Sequence, residues 1–99
     1  MPYRVRLTES AEEHLGHLTA RQKAIVLDAM GKQLPHEPLR ETRNRKPLRP
    51  NPLAPWELRV GALRVFYEVD GREPDVVNVL AIGIKRGNHL FVAGLEIRI

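Results

Sequence analysis

Apolar and polar residues alternate through Tyr3-Arg4-Val5-Arg6-Leu7, the period-two pattern of a strand with one buried face. The period then lengthens. Thr8 and Ser10 are both placed to cap a helix, Ser10 and Glu13 have capping-box spacing, and Ala11, His14, Leu15 and Leu18 fall on its inner face. Thr19 and Gln22 repeat the capping spacing and open a longer helix bearing Ile25, Leu27, Met30 and Leu34, which Pro35 ends. Helices this close in sequence are expected to form an antiparallel hairpin.

From Pro35 to Pro55 the pattern dissolves. Six of the eight prolines fall here, among Arg40, Arg43, Arg45, Lys46 and Arg49. Proline at that density excludes a regular helix and a central strand, so the stretch reads as a long, basic, partly extended loop. Alternation returns in Trp56–Val60 and Leu63–Val69, joined by Gly61-Ala62 as a hairpin. After a turn at Asp70–Asp75, Val76–Ile84 is nearly continuously apolar, as in a strand covered on both faces. Leu90–Ile99 reads as a last strand, with Leu95, Ile97 and Ile99 on one side. The expected class is α+β: an N-terminal strand and two-helix hairpin packed on a mostly antiparallel sheet of three to five strands.

Length changes little in this picture, since 99 residues make one domain, 1–99, with one modest core. The absence of cysteine excludes disulfides, thiolate metal sites and thiol nucleophiles. No apolar run has the make-up of a signal peptide or a membrane span, so a soluble cytoplasmic protein is expected. Charge says more. A net charge of +4 and a pI near 10.0 point to polyanionic partners, whether nucleic acid, ribosome or an acidic protein.

Strand parity locates that charge. Trp56, Leu58 and Val60 share one face with Val65, Tyr67 and Val69, leaving Glu57, Arg59, Arg64, Phe66 and Glu68 on the other. On the next strand Ala81 and Gly83 are in phase with Lys85, which predicts a shallow floor beside Arg59, Arg64 and Lys85. Arginine forks onto phosphate oxygens, and the Phe66 ring is of a kind that stacks on unpaired bases. The same residues also suit a solvated outer sheet face. Tyr67 and Trp56 read as core. His14 and His17, at i and i+3 with Glu13 adjacent, lack an evident third metal ligand and read as an ordinary half-buried helix face.

Trp56-Glu57-Leu58-Arg59-Val60-Gly61, then Leu63-Arg64-Val65-Phe66-Tyr67-Glu68-Val69, resembles the central hairpin of RelE/ParE-type toxins. Ala81-Ile82-Gly83-Ile84-Lys85-Arg86 resembles that family's last core strand, which runs through a glycine into a basic residue. The resemblance implies a toxin of a type II toxin–antitoxin pair. RelE-like members cleave mRNA in the ribosomal A site, whereas ParE-like members share the fold and poison DNA gyrase; an inactive relative that only binds its antitoxin is a third possibility. The implied partners are a cognate antitoxin, the ribosome and mRNA, with no cofactor, metal or membrane.

For a metal-independent endoribonuclease, the resemblance assigns Arg64 to the charge developing on phosphate and Arg59 to phosphate binding, with Lys85 or Arg86 as the basic residue after the glycine. RelE carries a lysine where this chain has Glu57 and a functional tyrosine where it has Phe91, so proton transfer passes to Glu57, to His89 or to neither. An imidazole suits that task near neutral pH, while Glu57 beside Arg59 reads equally as a structural ion pair. Phe91 retains stacking only. The cations Arg43, Arg45, Lys46 and Arg49 are expected to grip RNA or to meet an acidic antitoxin.

Overall fold

The computed structural model describes residues 2–98. Its elements are β1 (Arg4–Leu7), α1 (Glu9–Leu15), α2 (Ala20–Gln33), β2 (Arg45–Pro47), β3 (Trp56–Val60), β4 (Leu63–Val69), β5 (Val76–Arg86), β6 (His89–Val92) and β7 (Leu95–Ile97). The class is α+β, as the alternation predicts, but the sheet has seven strands rather than three to five. Six run in the order β2-β3-β4-β5-β6-β7, all neighbours antiparallel, and β1 pairs in parallel with β5.

Two departures account for the added strands. Arg45–Pro47, inside the proline-rich stretch, pairs with β3 as a three-residue edge strand, a place where proline is tolerated. The C-terminal segment folds into two strands rather than one, because Ala93 (φ 52°) and Gly94 (φ 78°) turn the chain back on itself. Ile99, expected to lie with Leu95 and Ile97, falls outside the described residues.

The register across β3 and β4 is the expected one, with Trp56 opposite Tyr67 and Leu58 opposite Val65. These residues face the helices, in a core with Ala11, Val26, Met30, Leu34, Val77, Val79 and Ile82. Trp56 and Tyr67 stack there with ring centroids 6.3 Å apart. The Tyr67 hydroxyl donates to the Pro38 carbonyl at 2.6 Å, fastening the proline-rich segment to the core. Burial pushes the pKa of that hydroxyl up.

The second helix departs from expectation in phase. On α2 the buried positions are Val26, Ala29 and Met30, followed by Leu34 at its end, whereas Ile25 and Leu27 are 44% and 45% exposed. Helical spacing of three and four selects the first set, and the period-two pair Ile25 and Leu27 points outward. α1 packs on β5, and α2 on β3 and β4.

Thr8, not Ser10, caps α1. Its Oγ1 accepts the Ala11 N–H at 3.2 Å and donates to the Val79 carbonyl at 3.0 Å, so one hydroxyl serves both helix and sheet. The Thr19–Gln22 capping box of α2 forms as predicted.

The Thr8 contact matters because β5 is shared. Val76–Val79 pair with β1 and Ile84–Arg86 pair with β6. Between these stretches the register against β4 slips by one, leaving Leu80 as the extra residue. α1 closes the gap: Thr8 reaches the Val79 carbonyl, and the Ile82 N–H donates to Nδ1 of His14 at 3.2 Å.

The other sheet face carries a smaller apolar cluster of Ala54, Phe66, Ala81, Leu90 and Val92, edged by Leu48 and Leu53 from the proline-rich segment. Among the described residues no helix is long and apolar enough to cross a membrane.

Candidate functional site

Three ranks of side chains build the face away from the helices. Lys46, Glu57, Phe66 and Ala81 lie opposite one another across β2 to β5, and Arg59, Arg64 and Gly83 form the next rank. Lys85, Leu90 and Ile97 continue it across β5, β6 and β7.

Arg59 and Arg64 are directly opposed, an arrangement that costs stability when uncompensated. Glu57 compensates it. Its Oε2 lies 3.0 Å from Arg59 Nε and its Oε1 3.7 Å from Arg64 Nε, and the residue is 7% exposed. Arg64 also donates through Nη1 to the carbonyls of Gly61 at 2.7 Å and Leu63 at 2.9 Å, which fixes the guanidinium against the β3–β4 turn. Its Nε is buried without a hydrogen-bond partner. Burial, opposed by Glu57 and reinforced by Arg59, lowers the Arg64 pKa from its ordinary value.

Beside this cluster lies a groove of about 380 Å³. Glu57 and Arg64 form one wall, and Lys85, Asn88 and His89 come from the end of β5 and the start of β6. Leu90, Glu96, Ile97 and Arg98 complete it. His89 Nδ1 lies 2.9 Å from Glu96 Oε2. The structure therefore brings Glu57, Arg64, Lys85 and His89 to one groove. Arg59 stands at its edge, half-exposed and held by Glu57.

Other candidates fall elsewhere. Arg86 is exposed and does not line the groove, so Lys85 is the basic residue of the pair that enters it. Phe66 is fully buried beneath Ala54, Leu90 and Val92 and offers no ring for stacking. Phe91 does not line the groove; its ring lies 6.5 Å from that of His89. Nor are Ala81 and Gly83 an open floor. A Cβ on Gly83 would lie 2.7 Å from the Phe91 carbonyl oxygen and 2.9 Å from Val92 Cγ2, so the bare glycine is what lets β6 lie across it.

The basic loop is divided in use. Arg45 donates to the Arg40 and Gln33 carbonyls, both at 3.3 Å, tying the loop to the end of α2. Lys46 lies 3.5 Å from Glu41, whereas Arg43 and Arg49 are exposed. Among the described residues no three acidic or histidine side chains converge as metal ligands, and His14 is occupied by the Ile82 N–H.

Asn88, Glu96 and Arg98 are groove residues that sequence reasoning missed. Gly94 was the available clue: a glycine after Ala93 marks a turn, and a turn there returns Glu96 toward His89.

No family model and no curated protein matches the chain. Solved structures do. The RelBE2 toxin–antitoxin complex of Mycobacterium tuberculosis contains a chain 32% identical to this one, with a TM-score of 0.71, covering 87% of this chain and 100% of that one. A RelE–RelB complex of Pyrococcus horikoshii matches at 26% identity and a TM-score of 0.64, covering 88% and 98% of the two chains. The shared architecture is an α+β domain with two helices packed on an antiparallel sheet of several strands. The chain belongs to the RelE-type toxin family.

Proposed function

We propose that the chain is the toxin of a type II toxin–antitoxin pair and that it cleaves mRNA on the ribosome. The observation that carries this reading is the convergence of Arg64, Lys85 and His89 on one groove, with Arg59 at its edge.

In the reaction the ribose 2′-oxygen attacks the adjacent phosphorus and the bond to the 5′-oxygen breaks, leaving a 2′,3′-cyclic phosphate and a 5′-hydroxyl. The step needs cations where charge grows on the phosphoryl oxygens and a group that moves a proton. Arg64 supplies the first, held in place by Glu57 and by two carbonyls before substrate arrives. Lys85 adds a second charge, and His89 is the proton-transfer group. Glu57, engaged by two arginines, positions them and is not the base. With Phe66 and Phe91 out of the groove, the RNA is held through its phosphates, and base stacking plays no part on this face.

The partner in this reading is an antitoxin whose acidic segment covers the same groove, in keeping with the toxin–antitoxin complexes formed by both structural relatives.

The test is a reconstituted translation reaction in which mRNA ends are mapped by primer extension, with and without ribosomes. New ends within A-site codons are expected from the wild-type protein. Arg64→Ala, folded by circular dichroism, is expected to cut at least about a hundredfold more slowly. Intact mRNA beside stabilised DNA breaks in a gyrase cleavage assay would replace this reading with gyrase poisoning. Neither effect, with antitoxin still bound, would mark an inactive relative.

A further inference from the structure

Glu96 comes from β7, away from every segment that the resemblance singles out, yet it meets His89 in the groove. Phe91 is its cross-strand mate, and His89 precedes Phe91 by two residues on the same side of β6, so Glu96 and His89 are diagonal neighbours. The tight Ala93-Gly94 turn sets that register. Glu96 Oε2 lies 2.9 Å from Nδ1 of the imidazole.

The groove holds two carboxylates with different employment. Glu57 is taken up by Arg59 and Arg64. Glu96 is engaged by the imidazole. A carboxylate is an acceptor only, so a neutral His89 paired with it must carry its hydrogen on Nδ1 and present the Nε2 lone pair. A free neutral imidazole prefers the opposite tautomer. The contact therefore selects the form that can take up a proton at Nε2, and it supplies a negative charge beside the ring when that proton arrives, in a groove that Arg64, Lys85 and Arg98 also line.

We propose that Glu96 is the positioning residue of a His89–Glu96 pair in which His89 Nε2 is the base. This rests on the nuclease reading of the groove. In the step, Nε2 takes the 2′-hydroxyl proton as the 2′-oxygen bonds to phosphorus. The 5′-oxygen departs and is protonated from solvent, and His89 returns its proton to solvent afterwards.

The test joins a spectroscopic measurement to a kinetic one on the full-length protein. With ¹⁵N-labelled histidine above neutral pH, where imidazole is uncharged, His89 is expected as the Nδ1–H tautomer in the wild type and largely as Nε2–H in Glu96→Ala. In ribosome-dependent cleavage Glu96→Ala is expected to lower kcat about tenfold with KM unchanged, and His89→Ala about a hundredfold. Glu96→Gln, which keeps an accepting oxygen, is expected to recover most of the rate. A wild-type protein that cleaves mRNA but shows the Nε2–H tautomer, or whose tautomer and kcat are indifferent to Glu96→Ala, would overturn the inference alone. A wild type that leaves ribosome-bound mRNA intact would overturn the nuclease reading, and this role with it.

Discussion

The two faces of the sheet are packed by different means. Against the helices, Leu58, Val65 and Tyr67 meet Val26, Met30 and Leu34 in an apolar layer whose polar contacts are few and directed, such as Tyr67 to Pro38 and His14 to Ile82. On the other face a smaller cluster around Phe66 is covered by the proline-rich segment and by β6, and charged residues fill what remains. The helices bury most of their face, while strands and loops cover less of the second. The uncovered part is the groove. Stability is thus concentrated on one face and the proposed chemistry on the other, and substitutions on the two faces should report different quantities.

The largest expected effect belongs to the helix side. Leu58→Ala should destabilise the fold by about 3 kcal/mol, read from urea denaturation, because Leu58 is fully buried and its cavity cannot collapse between sheet and helix. A small loss there would break the contrast. Gly83→Ala should cost about 2 kcal/mol, because the Phe91 carbonyl 2.7 Å from the new methyl is backbone and must shift. It should also slow cleavage, since β6 carries His89, so this variant moves both readouts and marks where the faces communicate. Tyr67→Phe should cost about 1 kcal/mol by leaving the Pro38 carbonyl without its donor, with the cleavage rate unchanged.

The smallest expected effect is a dependence on pH. Burial, more than the neighbouring His17, lowers the pKa of His14 against the opposing pull of Glu13. The folded state then favours the neutral ring, whose Nδ1 must stay unprotonated to accept the Ile82 N–H. Stability from this contact is full above the ordinary imidazole value of about 6.5, and it is lost as pH falls through that value toward the lowered one. A urea midpoint that drops between about pH 7.5 and about pH 5.5 in the wild type, and less in His14→Gln, is the expected result. Asp70 works in a separate window. Its carboxylate accepts from Asn78 and from the Glu73 and Arg72 N–H groups, which hold its pKa at about 2, so its contribution is lost only in strong acid.

Legibility in the sequence followed the same division. Alternation in Trp56–Val69 carried the hairpin register and brought Arg64 and Lys85 to one face, because parity is a local property of a strand. Parity does not say whether a second face is covered, and so Phe66 read as a surface ring while it is wholly buried. Ile25 and Leu27 misled because hydrophobicity alone does not set helical phase; Val26, Ala29 and Met30, spaced by three and four, did. Glu96 could not be paired with His89 until the Ala93-Gly94 turn was recognised, since their meeting depends on a register that the turn alone creates.

The division of β5 between β1 and β6 bears on how the chain is made. Arg4 pairs with Val76 and Leu7 with Val79, so β1 has no partner in the sheet until β5, some seventy residues later, has been synthesised. Closing so long a loop is entropically expensive and slow compared with the β3–β4 hairpin. Translation thus completes most of the chain before its first strand can dock, and a product truncated before Val76 lacks the sheet's central strand and nearly every residue that lines the groove.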